Sequence, residues 1–314
     1  MNYLPKIGKI LLIACCLVFS AFAGEKNKAK TYPEFEDAKI LLKGTDGKWD
    51  EKNTHTCSIV EANKDGYKYW AYYGVNRYCE APSTRRAGLI RSNDLVNWEK
   101  YSDEAVIDNN CRWPTAVIAN GTFYIFYAEY DEECSSQIVM VSSKDGIHFG
   151  DKKIIAPLEK GKQNQNPFIY FDKKTGKFNL FYYNGIERGD KSKQVWKICL
   201  KSAKDIEQID KAKTKTLLSE KYTIAAPSIC YFNNQYYLLI EAFNTEKWGE
   251  KWVTLAFSSS SIDKGYKPTA NSLVLQDNDA CAFQYVFNKQ LYMTYSHCVD
   301  PKNNEWLLKI KKAK

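Results

Sequence analysis

Two carboxylates and a histidine, Asp279, Glu241 and His55, are the groups in this sequence best suited to trade protons with a bound molecule. A carboxyl acid and a carboxylate base on opposite sides of a bond are a general acid–base pair, and imidazole can replace either near neutral pH. Arg112, Trp113, Asn166, Glu129, Gln284 and His297 add hydrogen-bond donors, acceptors and an aromatic face, a set suited to a polar, planar ligand. Each has a structural rival. His55 can simply hydrogen-bond a neighbouring element, Trp113 can be a buried plug, and Glu129 and Glu241 can be rim charges. Arg112 would be costly to bury alone, so it is either paired with Asp279 or Glu241 or grips a ligand. His148 sits in an Asp-Gly turn and reads as structural.

What places these residues together is a repeat. The chain is written in short runs of Tyr, Phe, Ile and Val broken by Asn-Gly and Asp-Gly turns, and no long stretch has a helical period. Five units share one pattern: a polar or aromatic cluster, an apolar strand, a turn, then a strand of the type Tyr-Tyr-x-Phe-Tyr. They begin near residues 55, 112, 165, 226 and 279, at spacings of 57, 53, 61 and 53. Two units continue with a matching turn, Ser92-Asn93-Asp94 to Trp98 and Ser143-Lys144-Asp145 to Phe149. The expectation is an all-β protein, a five-bladed β-propeller with blades of four antiparallel strands. The last unit ends early, at Trp306 to Ile310. The stretch Ala38 to Leu42 would supply its outer strand, so the ring is closed by strands from both termini. In such a fold the starts of innermost strands and the ends of second strands reach one face. Those positions hold His55, Thr56, Arg112, Trp113, Asn164, Asn166 and Asp279, and Glu129, Asp131, Asn184, Glu241 and His297; Gln284 lies further along its strand.

The organisation is read as a signal peptide (1–23), an N-terminal linker (24–37) and one propeller domain (38–314). Lys6 and Lys9 precede the apolar run Ile10 to Phe22, and Ala21-Phe22-Ala23 is a small-residue cleavage site. The run is short for a membrane span, and Cys15 sits inside it rather than at its end, so cleavage and secretion to the periplasm or medium is favoured over lipid anchoring. Ten cysteines, two of them in the leader, are scattered without a Cys-x-x-Cys pair. That is compatible with disulfides and argues against zinc; no metal or other cofactor is called for. The net charge of +8 comes from lysines spread over turns and tails, a solvated surface rather than a nucleic-acid patch.

The repeat, and the segment Gly88-Leu89-Ile90-Arg91-Ser92-Asn93-Asp94-Leu95-Val96-Asn97-Trp98-Glu99, resemble the five-bladed propeller glycoside hydrolases of families 43, 32 and 130 over nearly the whole mature chain. The resemblance implies a carbohydrate-active enzyme with carboxylates at the inner-strand starts. Those places hold Thr56-Cys57, Arg112-Trp113-Pro114, Asn166-Pro167 and Ala226-Pro227 instead. The working assignment is a glycoside hydrolase with Glu241 as acid and Asp279 as base. His55, Arg112 and His297 hold the sugar, and Trp113 stacks on it. The alternatives are a non-catalytic glycan-binding propeller and a polysaccharide lyase using His, Tyr and Arg. The expected partner is an oligo- or polysaccharide met by a monomer.

Overall fold

The computed structural model describes residues 29–75, 84–131, 135–186 and 196–314. Residues 1–23, the expected signal peptide, lie outside them. The fold is all-β. Its strands come in runs of four: β1 (Lys39–Leu42), β2 (Thr54–Lys64), β3 (Tyr67–Val75), β4 (Arg86–Ser92) and β5 (Glu99–Lys100); β6 (Arg112–Ala119), β7 (Thr122–Tyr130), β8 (Ser136–Ser143) and β9 (Lys153–Ala156). They continue as β10 (Gln163–Asp172), β11 (Lys177–Gly185), β12 (Lys197–Ala203) and β13 (Lys215–Ser219), then β14 (Thr223–Phe232), β15 (Gln235–Phe243), β16 (Trp252–Ser259) and β17 (Lys267–Leu275). The last are β18 (Asp279–Phe287), β19 (Gln290–Asp300) and β20 (Glu305–Lys312). Sheets β2-β3-β4-β5 and β14-β15-β16-β17 stand alone, and β18-β19-β20 is completed by β1. The runs β6–β9 and β10–β13 are counted as one sheet only through the single parallel pair Gln163↔Ser136.

Tight hairpins connect the first two strands of each run. Asp65-Gly66, Asn120-Gly121, Asn233-Asn234 and Asn288-Lys289 all have both central φ values positive, the requirement of the turn whose twist matches the flanking strands. Side chains alternate across each strand, so both faces of an inner strand meet apolar neighbours. One layer of core lies between the β2 and β6 runs, with Trp70, Tyr72, Ile125 and Tyr127. Equivalent layers separate each later pair of runs, and Leu308 and Ile310 of β20 pack against Cys57 and Ile59 of β2. Within the 24–37 stretch, Tyr32 is buried and its hydroxyl donates to Gln284 (2.9 Å). Phe35 bridges to Ala313. Cys57, Cys111, Cys199, Cys230, Cys281 and Cys298 are buried and free; Cys79 and Cys134 lie outside the described residues. No helix among the described residues is long and apolar enough to cross a membrane.

Candidate active site

The first strand of every run carries a bulge, and each bulge holds one residue in the left-handed region. These are Thr56 (φ 47°), Trp113 (58°), Asn166 (47°), Ala226 (43°) and Cys281 (54°). The register shifts between His55 and Cys57, Arg112 and Thr115, Gln165 and Phe168, Ala225 and Ser228, and Ala280 and Phe283 mark the same extra residue in each strand. A β-branched threonine and a tryptophan are strained at positive φ, at a cost of order 1–3 kcal/mol each. Such strain persists only where the surrounding structure imposes it, and a bulge re-aims the side chain it carries. Proline follows three of the five, at Pro114, Pro167 and Pro227, where the bulge spares the strand a missing N–H.

The bulges also correct the alignment of the last two units. The residues equivalent to His55, Arg112 and Gln165 are Ala225 and Ala280, each just before its left-handed residue. Asp279 therefore lies one place before the common start, as the first residue of β18, opposite His297.

Around the β2, β6 and β18 bulges a compact group assembles. The His55 ring meets Trp113 edge-on (centroids 5.6 Å apart) and lies 4.7 Å from Trp306. The Arg112 guanidinium stands over Trp113 (4.8 Å) and Tyr130 (4.6 Å), and Arg85 is also over Tyr130 (4.7 Å). Trp113 and Tyr130 share an apolar contact with Cys281. Glu241, at the end of β15, reaches across to the β18 bulge: the Cys281 N–H donates to its Oε1 (2.6 Å), and the thiol hydrogen-bonds the same carboxyl. Among the described residues, the buried His55 Nδ1 and Trp113 Nε1 have no hydrogen-bond partner, the state of groups that a polar ligand would satisfy.

Electrostatics separates the roles. Burial drives the His55 pKa down to about 3, with the Arg112 charge adding to the effect, so the imidazole is neutral. Burial raises the Glu241 carboxyl above the usual range, and its hydrogen bonds from Cys281 only partly oppose this. Cys281 is raised too, by burial and by the Glu241 charge, so it is a thiol.

The other predicted residues make contacts outside this group. His297 Nδ1 and Asp279 Oδ1 are 2.7 Å apart, both partly exposed, and the Asp279 charge also acts on Tyr295 and Lys311. Glu129 is ion-paired to Lys152 and accepts from Gln137 (3.2 Å). Gln284 is an internal tie: it accepts from Tyr32 and donates to the carbonyls of Ser228 (3.0 Å) and Tyr237 (3.2 Å). Asn166 is buried at its bulge, and the Asn184 amide donates to Asn164 Oδ1 (2.8 Å). His148 bonds Asp145 (2.7 Å) within its turn, as a structural residue would. Tyr130, Trp306 and Cys281 were not singled out by the sequence; Cys281 stands at the bulge position of Trp113 and Asn166, which the backbone conformation reveals and the residue types do not. No cluster of three or more metal-ligating side chains occurs among the described residues.

Gly74 pairs with His55, and a Cβ there would come 2.8 Å from Pro114 Cδ and 3.3 Å from Thr56 Oγ1. Gly74→Ala should therefore wedge two bulges apart and lower stability by about 1–3 kcal/mol. Urea unfolding measures it, and an unchanged midpoint would contradict this packing.

The structural neighbours of the chain are β-propeller glycoside hydrolases of family 43. A thermostable family-43 glycoside hydrolase superposes with a TM-score of 0.63 at 14% identity, covering 86% of this chain and 92% of the other. An exo-1,5-α-L-arabinanase from a bovine ruminal metagenomic library gives 0.58 at 19%, covering 83% and 93%. The α-L-arabinanase of Cellvibrio cellulosa, solved with arabinohexaose, gives 0.60 at 16%, covering 83% and 91%. At these identities the likeness is one of fold. No protein-family model matches the chain, and no curated protein matches it by sequence.

Proposed function

We propose that this chain is an exported, monomeric glycoside hydrolase, a five-bladed propeller closed by β1 and β20, acting on an oligo- or polysaccharide. Five bladelike runs whose last packs on the first support the ring. The leader-like pattern of residues 1–23 supports export. The observation that carries the activity is Glu241: a desolvated carboxyl, gripped by Cys281, beside the Arg112, Trp113 and His55 group.

Glu241, protonated, gives its proton to the glycosidic oxygen as the bond from the anomeric carbon to that oxygen breaks. Water attacks the anomeric carbon and passes its proton to Asp279, which His297 orients. His55 is too weak a base at neutral pH to take that proton. It hydrogen-bonds sugar hydroxyls with Arg112, and the unpartnered Trp113 Nε1–H donates to another. The neighbours' arabinan- and xylan-type ligands make pentose polymers the first substrates to try.

One feature favours a second reading, glycan binding without turnover. All five left-handed positions carry uncharged side chains, where the resemblance implies acids at four. Incubation with arabinan, xylan and a panel of acidic glycans separates the readings. New reducing ends are expected. An unsaturated, ultraviolet-absorbing product would mean a lyase, and retention on a glycan without either product would mean a binding protein; each overturns the hydrolase.

A further inference from the structure

A concave site lies at the other end of the strands. Strand β10 runs from its bulge at Asn166 to Asp172, roughly 20 Å at the usual rise per residue. Beyond that end, between the β10–β13 and β14–β17 runs, is a cleft of about 520 Å³. Lys174, Lys177, Lys213 and Lys215 line it, with Tyr236 and Ser260.

Lys215 is held by Asp263 (3.0 Å). Lys174, Lys177 and Lys213 form no ion pair among the described residues. The Lys174 ammonium stands over the rings of Tyr231 (5.2 Å) and Tyr236 (5.7 Å), which hold it at the cleft rather than swinging free. The opposing charges are Asp263 and the buried Asp172. Asp172 is already engaged by the hydroxyls of Thr175 (2.5 Å) and Tyr236 (3.1 Å) and by the Lys174 N–H (3.2 Å). Four ammonium groups against two carboxylates leave the cleft cationic. These four lysines converge on one concavity with Tyr236 as an aromatic wall.

We propose that this cleft binds an oxyanion, sulfate or carboxylate, carried on a saccharide chain, as a site separate from the Glu241 mouth. The lysines meet the anion, and the Tyr236 ring is the face for the sugar bearing it. The saccharide half rests on the carbohydrate reading of the protein; the anion half does not.

Affinity electrophoresis in gels holding dextran sulfate, polygalacturonate or neutral dextran tests this. Retardation is expected with the anionic polymers alone, fading as salt rises. The triple variant Lys174→Ala, Lys177→Ala, Lys213→Ala should raise the apparent Kd for them roughly tenfold. A control of equal charge, Lys52→Ala, Lys289→Ala, Lys302→Ala, should leave it unchanged. Glu241→Gln should also keep full retardation, so loss of turnover at the mouth and loss of this site are told apart. Equal weakening in both triple variants, or in neither, would overturn the cleft. Perturbation of the cleft lysines by inorganic sulfate, without retardation by either polymer, would overturn the saccharide half.

Discussion

Glu241→Gln is expected to lower kcat on an unactivated oligosaccharide by roughly two to four orders of magnitude while leaving substrate binding within a few-fold. Glutamine keeps the shape and can still accept from the Cys281 N–H, so the loss reads the proton and little else. Two further observations tie the effect to acid catalysis. An aryl glycoside, whose leaving group departs without protonation, should suffer far less. The pH profile should change too. The Glu241 carboxyl is raised by burial, and an acid catalyst acts in its protonated form, so wild-type activity should fall as pH rises through its pKa in the folded protein. The variant should lack that limb. Undiminished turnover of the unactivated substrate would remove Glu241 from the mechanism and leave the propeller untouched.

The repeat was legible because hairpin turns announce themselves. Asn-Gly and Asp-Gly supply the positive φ values that the β2–β3 and β6–β7 connections require, and the apolar runs between them have strand length. The bulges were not legible. One extra residue shifts the side-chain alternation, and threonine, tryptophan, asparagine, alanine and cysteine share no chemistry that would mark a common conformation. Aligning on polar clusters thus put Asp279 level with His55, whereas Ala280 holds that place.

The same parity separates the two strand-end glutamates. Glu241 pairs with Ala225, just before its bulge, and meets Cys281. The residue of β7 in that register, opposite Arg112, is Ala128. Glu129 is one step further along, on the other face of the sheet, and finds Lys152. Cys281 itself looks like core in any single strand. Its role depends on Glu241, forty residues away in sequence.

The pH dependence of stability gives the second large effect, and it decides how His55 works. In the unfolded chain this histidine binds a proton near pH 6.5; in the folded protein burial and Arg112 hold it neutral down to about 3. The unfolded state therefore carries the extra proton throughout that window, and stability must fall as pH drops, by up to about 1.4 kcal/mol per pH unit from this one group. Glu241 acts oppositely. Its raised pKa favours the folded state at low pH, so its contribution is lost as pH rises. The depressed carboxylates Asp94 and Asp145 add their own loss only once pH falls below the ordinary aspartate range. The clean measurement is thus a difference: urea unfolding of wild type and His55→Phe between pH 7 and 4.5. Phenylalanine keeps an aromatic ring between Trp113 and Trp306 but cannot be protonated. The gap between the two proteins should close steadily in the variant's favour as pH falls. Parallel curves would mean that His55 titrates normally in the folded protein. It would then be charged in mild acid and basic enough to take a proton from water, and the base assigned to Asp279 would belong to the histidine instead.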